Sequence, residues 1–357
     1  MEDKDRSIKK RNFAIAIAVA TALVSCSGNV SSTQNPTIDI DGSSTVYPIT
    51  KAIVDSHNAQ KEQNADINLN VSGTGGGFDK FCQGETDITN ASRPISTSEM
   101  NTCREAEVAY IELPIAFDAL TVVVNKDNDW IDSITVEELK TIWSPKATDT
   151  ITRWNQVNPE YPDRPLNLYA PDPDSGTFDQ RSQQAPSFYG GVICDYFTEA
   201  VVGESGTSRS DYLDSEDDNT LVQGVKQDPN AMGYFGLAYY ETQKDEIKAL
   251  AIDSGDGAVL PSRETVESGQ YQPLSRPLFI YINSSAAQKN PQLQALVKYY
   301  LEKAPDTVRQ VGYVPLPEEG YELTKIHFDR GKVGTVFEGK SVFNLTIEEL
   351  LTKQANF

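Results

Sequence analysis

One pattern occurs four times along the chain. A stretch of apolar residues is followed by a turn rich in Ser, Thr and Gly, and then by a helix-type or turn segment. The four turns occupy residues 43–45, 72–76, 92–93 and 175–177. Such alternation is typical of α/β folds, in which ligands meet the chain beyond the carboxyl ends of the strands. We therefore predict an α/β protein whose turns face one common site.

Local patterns place further elements between these turns. Residues 119–125 and 276–283 have the composition of buried strands, and residues 290–305 have the spacing of an amphipathic helix. Thr135 and Glu138 stand three residues apart before an apolar run, a spacing that predicts a capping box at a helix start.

Composition limits the possible partners. The chain has 357 residues, enough for two domains of roughly 100–200 residues each. It carries 52 acidic and 31 basic residues, a formal net charge of −21. Duplex binding depends on clustered Lys and Arg, so we expect no nucleic acid partner.

The amino-terminal segment has the features of an export signal. Basic residues 9–11 precede a short apolar run that ends at Leu23-Val24-Ser25-Cys26. The run is shorter than a membrane span, and its last four residues look like a bacterial lipobox. We expect residues 1–25 to be a lipoprotein signal peptide, Cys26 to carry the lipid and residues 26–36 to be a polar tether. The mature protein would then be anchored in the periplasm or at the cell surface.

The remaining cysteines are Cys82, Cys103 and Cys194. An oxidising compartment permits a disulfide, and we predict the pair Cys82–Cys103, which leaves Cys194 over. Only His57 and His327 represent histidine, without metal-ligand spacing. We therefore expect neither a metal nor a cofactor.

The chemistry of the turns indicates an anion. Helix starts carry unpaired N–H donors and partial positive charge, so several of them aimed at one point bind an anion without much formal charge. The glycine turn lacks the Gly-Lys-Ser/Thr ending of a nucleotide-binding loop, and residues 175–177 lack the spacing of a hydrolase nucleophile. The candidate donors are Ser44, Thr45, Thr74, Gly75, Ser175, Gly176 and Thr177, with Ser72 as an alternative to Thr74.

Four segments of the chain together resemble a known family: "DGSSTVYPITKAI", "VSGTGGGFDKFCQGETDITNASRPI", "DSGTFD" and "RPLFIYIN". It is that of the substrate-binding lipoproteins of bacterial phosphate ABC importers, in particular their cyanobacterial-type branch. The likeness runs in order from about residue 37 to residue 350.

The resemblance implies a two-lobed periplasmic binding protein of type II, with mixed sheets, helices on both faces and the ligand in the cleft between lobes. Lobe 1 would comprise residues 37–116 and 277–350, and lobe 2 residues 117–276. The implied activity is capture of inorganic phosphate for a membrane permease, by a monomer that is not an enzyme.

Two departures from the family pattern concern charge. Family members carry an aspartate where this chain has Arg93, and an arginine before the Ser-Gly-Thr turn where this chain has "APDPD". We therefore expect Arg93 to supply a bidentate contact to the anion. A carboxylate that accepts the phosphate proton would be Asp174, Asp172 or Asp87, and Arg209 is a candidate supporting residue.

One segment, residues 180–195, interrupts the family pattern and is expected to be an insertion. Two other functions fit parts of the sequence. The protein could bind another tetrahedral oxyanion, such as sulfate, arsenate or molybdate. A secreted phosphoester hydrolase is the further alternative, although a histidine cluster and paired metal ligands are missing from the sequence.

Overall fold

Strands and helices alternate along most of the described chain. The computed structural model describes residues 37–60, 66–171, 190–204, 206–215, 218–339 and 347–356. The strands are β1 (Thr37–Gly42), β2 (Asp66–Leu69), β3 (Ile88–Ala91), β4 (Tyr110–Asn125), β5 (Ser133–Thr135), β6 (Asn167–Pro171), β7 (Leu213–Ser215), β8 (Ala231–Gly236), β9 (Ile247–Ala249), β10 (Ala251–Asp253), β11 (Ala258–Val259), β12 (Ser275–Asn283) and β13 (Val314–Pro315). The α-helices are α1 (Tyr47–Asn58), α2 (Gly73–Cys82), α3 (Thr97–Glu105), α4 (Val136–Trp143), α5 (Trp154–Val157), α6 (Gly190–Val201), α7 (Asp218–Gln227), α8 (Leu237–Gln243), α9 (Arg263–Glu267), α10 (Ser284–Lys289), α11 (Pro291–Gln310), α12 (Glu318–Arg330) and α13 (Ile347–Asn356).

The larger sheet is mixed. Its order is β2-β1-β3-β12-β4-β8-β6-β7, and β13 and β9 also pair with β4. At one end β1 runs parallel to β2 and β3, and at the other β6 runs parallel to β7 and β8. The antiparallel strands β12 and β4 join the two ends. The α/β class predicted from the sequence is confirmed.

Strand β4 belongs to both ends of this sheet. Its residues 110–119 pair with β12, whereas residues 120–125 pair with β8 and β9. All 16 residues of β4 are buried. The predicted strand 119–125 is therefore only the second half of the real one. Pro114 and Asp118 interrupt the apolar run. The pairing with β12 skips Ile115, the residue after Pro114, and Pro114 lacks an N–H to donate.

Aromatic side chains hold α6 against the sheet. Phe197 of α6 stacks on Tyr234 of β8 with ring centroids 3.7 Å apart. Trp143 of α4 packs edge-on against both rings. All three are buried, and burial of each such ring contributes on the order of 2–3 kcal/mol.

The predicted capping box and the predicted disulfide are both confirmed. Cys82 at the end of α2 is bonded to Cys103 in α3. Thr135 and Glu138 form the predicted capping box at the start of α4, each side chain bonded to the backbone N–H of the other. A second capping box, between Ser96 and Glu99, opens α3.

Helix α6 begins at Gly190, inside the segment 180–195 that the sequence marks as an insertion. The last residues of that segment thus form the beginning of α6, and later residues of α6, such as Tyr196 and Phe197, are buried in the core. Cys194 lies on α6, and its side chain is outside the described residues, as are residues 180–189 and Cys26. Among the described helices, none combines the length and apolarity needed to cross a membrane.

A buried carboxyl group connects the beginning of β4 to the carboxy-terminal part of the chain. Glu112 accepts hydrogen bonds from the hydroxyls of Tyr281 and Thr335 at 2.7 and 2.6 Å. The N–H of Val336 donates to it at 3.2 Å. Burial raises the pKa of Glu112 to about 7, and the three donors offset only part of this effect.

The raised pKa predicts a particular pH dependence of stability. Folded Glu112 keeps its proton up to about pH 7, whereas the unfolded side chain loses it near pH 4.5. The folded state binds more protons in that window, so the free energy of unfolding should fall by about 3 kcal/mol as pH rises through it. Below and above the window this contribution is constant.

Urea unfolding of wild type and Glu112→Gln across this pH range tests the assignment. The variant cannot ionise, so its stability should lack the decline, and the exposed Glu105→Gln should follow wild type. Parallel curves for wild type and Glu112→Gln would contradict a buried titrating carboxyl at this position.

Candidate anion-binding site

Three of the four predicted turns lie at one edge of the sheet. Strands β1, β2 and β3 are parallel, so the residues that follow them emerge at the same, carboxyl, end. Residues 43–46 precede α1, residues 70–72 precede α2, and residues 92–96 precede α3. The starts of α1 and α2 therefore lie near each other, and the residues that follow β3 lie beside the start of α2.

Two glycines allow the first two turns to approach closely. Gly42 has φ +126°, and a Cβ placed there would lie 2.3 Å from the carbonyl oxygen of Asn90. A Cβ on Gly77 would lie 2.5 Å from the Cα of Gly42. Larger residues at either position would push α2 away from the end of β1.

Hydroxyl groups join the second turn to the third. The hydroxyls of Thr74 and Ser92 are 3.0 Å apart, and the N–H of Ser92 donates to Thr74 Oγ1 at 3.2 Å. Gly75, next to Thr74, has open space where a side chain would stand. Thr74 and Gly75 thus occupy the position predicted for anion donors, at the start of α2.

A buried arginine lies beside the first turn. Nη2 of Arg276 is 3.3 Å from Thr45 Oγ1 and 3.2 Å from Asp118 Oδ2. The guanidinium carbon lies 3.9 Å from the centroid of the Tyr196 ring. Arg276 and Asp118 stand directly opposite each other in the β12–β4 register, next to the point where β4 changes partners. This cluster joins the first turn, the two crossing strands and α6.

The arginine and its carboxylate together add little net charge. Burial raises the pKa of Asp118, and the neighbouring Arg276 opposes that effect. With Arg276 13% and Asp118 5% exposed, both groups are shielded from water, which strengthens electrostatic interactions around them. An anion placed here would meet a fixed arginine and helix N–H groups.

Arg93 is paired with a carboxylate in the structure. Its two terminal nitrogens donate to the two carboxylate oxygens of Glu99 at 2.9 and 2.8 Å. This bidentate pairing is the one that the sequence suggested for the anion. Burial alone would raise the pKa of Glu99, but hydrogen bonds from Arg93 and Ser96 lower it. Arg93 thus supports the capping box of α3, and Arg276 is the arginine beside Thr45. The contact of Arg93 with the anion stays a prediction.

Asp87 also lies elsewhere than expected. It precedes β3, at the amino end of the strand, whereas Ser92 follows β3 at the carboxyl end. Its carboxylate accepts the N–H of Asp39 at 3.0 Å. Four strand residues at roughly 3.3 Å each separate it from the turns, so Asp87 cannot reach an anion held there.

Arg209 has structural partners. It forms a two-point contact with Asp211 at 2.6 and 2.8 Å. Its Nη1 donates to the carbonyls of Ile142 and Ile151, both at 3.0 Å. These contacts join the end of α4 to two loops.

The fourth turn cannot be placed. Ser175, Gly176, Thr177, Asp172 and Asp174 lie outside the described residues. Of the other predicted donors, Ser44 and Thr45 lie just before α1, and Thr45 is buried.

Sequence reasoning missed Arg276 and Asp118. Both interrupt otherwise apolar strands, "RPLFIYIN" and "IAFDALTVVVN". A charged residue inside a buried strand needs a partner of opposite charge. An acidic residue in one apolar strand and a basic residue in another could therefore have predicted this ion pair. Within the described ranges, no group of three or more His, Cys, Asp or Glu could hold a metal ion.

The fold and the site define the class of two-lobed substrate-binding proteins. A profile described as the PBP superfamily domain matches residues 27–304, and the chain belongs to this superfamily.

Curated relatives extend over nearly the whole chain. Protein SphX of Synechocystis is 56% identical over 341 residues, which cover 96% of both chains. Protein SphX of Synechococcus elongatus is 46% identical and covers 90% of this chain and 89% of its own. The phosphate-binding protein PstS of Staphylococcus saprophyticus is 36% identical over 79% of this chain and 81% of its own.

Solved structures agree on the fold. A possible phosphate binding protein from Planctomyces limnophilus matches with TM-score 0.72 and 37% identity, over 84% of this chain and 99% of that one. An ABC-type phosphate transport receptor from Vibrio cholerae matches with TM-score 0.58 and 21% identity, over 78% and 99%. The second likeness concerns the fold alone.

The pairing of Arg93 with Glu99 predicts a loss of stability when Arg93 is replaced. Arg93→Met leaves the largely buried Glu99 without its bidentate partner, and we expect the free energy of unfolding to fall by about 1–3 kcal/mol. Arg104→Met removes an exposed arginine from α3, the helix that carries Glu99. It should change the free energy of unfolding by less than about 0.5 kcal/mol. Thermal and urea unfolding measure both. Equal stability of the two variants would contradict the structural role.

Proposed function

We propose that the protein captures inorganic phosphate outside the cytoplasm and delivers it to a membrane ABC importer. The proposal rests on one observation: Arg276, paired with Asp118, lies against Thr45 at the edge of the sheet where α1 and α2 begin. The names of the similar proteins support the same ligand: the phosphate-binding protein PstS and a possible phosphate binding protein from Planctomyces limnophilus.

The geometry suits a small tetrahedral oxyanion. Its oxygens point in several directions, and donors arrive from α1, α2 and the arginine on β12. Arg276 contacts Asp118 and Thr45 through Nε and Nη2, and we propose that its outer edge also faces the ligand. The fourth turn, Ser175, Gly176 and Thr177, would complete the set from the other lobe.

A carboxylate would distinguish phosphate from sulfate. Phosphate near neutral pH carries a proton and can donate it in a hydrogen bond, whereas sulfate cannot. A buried acceptor without its donor costs enough to discriminate by about 10⁴-fold. Asp118 joins Asp172 and Asp174 as a candidate acceptor, because it is buried beside Arg276.

The lobes would meet at the crossing strands. We propose residues 37–116 and 277–350 as lobe 1 and residues 117–276 as lobe 2. The change of partners along β4 at residues 119–120 supports a boundary near Asp118, and the segment before β12 supplies the second crossing. Closure on the ligand would create the form that a permease recognises.

The membrane attachment rests on the sequence. We propose that residues 1–25 are removed, that Cys26 carries a lipid and that residues 26–36 tether a monomeric binding protein to the membrane. This places the protein in the periplasm or at the cell surface, and its task is binding without catalysis.

Titration calorimetry of the mature protein tests the ligand. Phosphate should bind saturably at one site per chain, also in the presence of excess sulfate, because only phosphate donates to the carboxylate. No saturable phosphate binding would overturn the proposal. Asp118→Asn and Asp174→Asn then separate the acceptors, since replacement of the acting one should raise sulfate affinity relative to phosphate.

Replacing the two arginines separates their roles. Arg276→Met removes a ligand donor and leaves Asp118 buried without a counter-ion, so we expect phosphate affinity to fall by about 100-fold or more. Arg93→Met should reduce it by less than about tenfold. The double variant Arg276→Met with Asp118→Asn removes the unpaired charge and should recover part of the loss. Greater sensitivity to Arg93 than to Arg276 would reverse the assignment.

A further inference from the structure

A buried acidic group lies directly under the first two turns. Asp41, at the end of β1, is 1% exposed. Its Oδ1 accepts the N–H of Gly42 at 2.7 Å and the hydroxyl of Ser72 at 2.8 Å. Its Oδ2 accepts a hydrogen bond from Nζ of Lys80, 2.5 Å away. One carboxylate thus contacts the first turn, the start of α2 and a later residue of α2.

These contacts fix the two turns relative to each other. The N–H of Ser72 also donates to the carbonyl of Gly42 at 3.3 Å, so Ser72 is held by both its backbone and its side chain. Ser72 is the residue from which α2 starts, and Thr74 follows two positions later. Through Ser72, Asp41 therefore sets where the N–H donors of α2 point.

The same carboxylate creates an electrostatic problem. A negative charge beneath a cradle for anions repels the ligand, and low local dielectric increases that repulsion. Lys80 extends back along α2 toward its start, as helical side chains do, and places its charge on Asp41. The pair leaves the hydrogen bonds in place and cancels the charge.

We propose that Asp41 is a positioning residue for the anion site and that Lys80 is its counter-ion, required for ligand affinity. This inference rests on the proposed phosphate function. Lys80 is 43% exposed, and ion pairs with an exposed partner contribute little to folding stability. An effect of Lys80 on ligand affinity that exceeds its effect on stability therefore identifies this role.

Calorimetric titration of phosphate into four proteins tests the charge balance: wild type, Lys80→Met, Asp41→Asn and the double variant. Lys80→Met exposes the ligand to an uncompensated carboxylate, and we expect affinity to fall about tenfold, with the loss shrinking as KCl is added. Asn at position 41 can still accept from Gly42 and Ser72 without the charge. The double variant should therefore bind within about threefold of wild type.

Lys298→Met is the matched control. Lys298 forms an exposed pair with Asp329, between α11 and α12, so its loss removes the same charge at another place on the surface. Phosphate affinity should stay within about twofold of wild type. Wild-type affinity in Lys80→Met, or a double variant as weak as Lys80→Met, would overturn the role of Lys80.

Hydrogen exchange without ligand tests the positioning role separately. Asp41→Ala should speed exchange of the amides of residues 42 and 72–76, and leave those of β12 unchanged. Asp41→Asn should stay near wild type, and Ser72→Ala, which removes the same hydroxyl contact, should resemble Asp41→Ala. Unchanged exchange in Asp41→Ala and Ser72→Ala would overturn the positioning role. This readout does not depend on phosphate. Failure of wild type to bind phosphate would end the proposed function and the role of Lys80, and would leave the positioning of α2 by Asp41 standing.

Discussion

The ion pair between Arg276 and Asp118 lies where the two halves of the larger sheet join. The two side chains come from adjacent antiparallel strands, at the point where β4 leaves one half of the sheet for the other. Each charge would be costly to bury alone, and each is tolerable because the other stands directly opposite. The first turn contacts this pair through Thr45, and α6 covers it with Tyr196.

This arrangement explains how so acidic a chain can hold a site for an anion. In the described part of the chain, three negative side chains near the site, Asp118, Asp41 and Glu99, each have a basic partner: Arg276, Lys80 and Arg93. The positive partial charge of the helix starts then adds to a nearly neutral set of side chains. Charges elsewhere on the surface are screened within a distance of roughly 8 Å at physiological ionic strength.

The sequence allowed much of the fold to be predicted, because its signals are local. The strand–turn–helix pattern, the Thr135 capping box and the Cys82–Cys103 pair each depend on residues close in the chain or few in number. Long-range pairing could not be read in this way. The pairing of Arg93 with Glu99 is local, six residues apart, but the sequence does not show which carboxylate an arginine contacts. Arg276 meets Asp118 across 158 residues, a distance that no local pattern spans.

The disulfide has a consequence for how the site behaves before any ligand arrives. It fastens the far end of α2 to α3, while Thr74 and Ser92 join the second and third turns at the near end. Helix α2 is therefore held at both ends, so its amide dipoles keep their direction before the ligand binds. Capture then demands little ordering of this half of the cradle, and more of the intrinsic attraction survives as affinity.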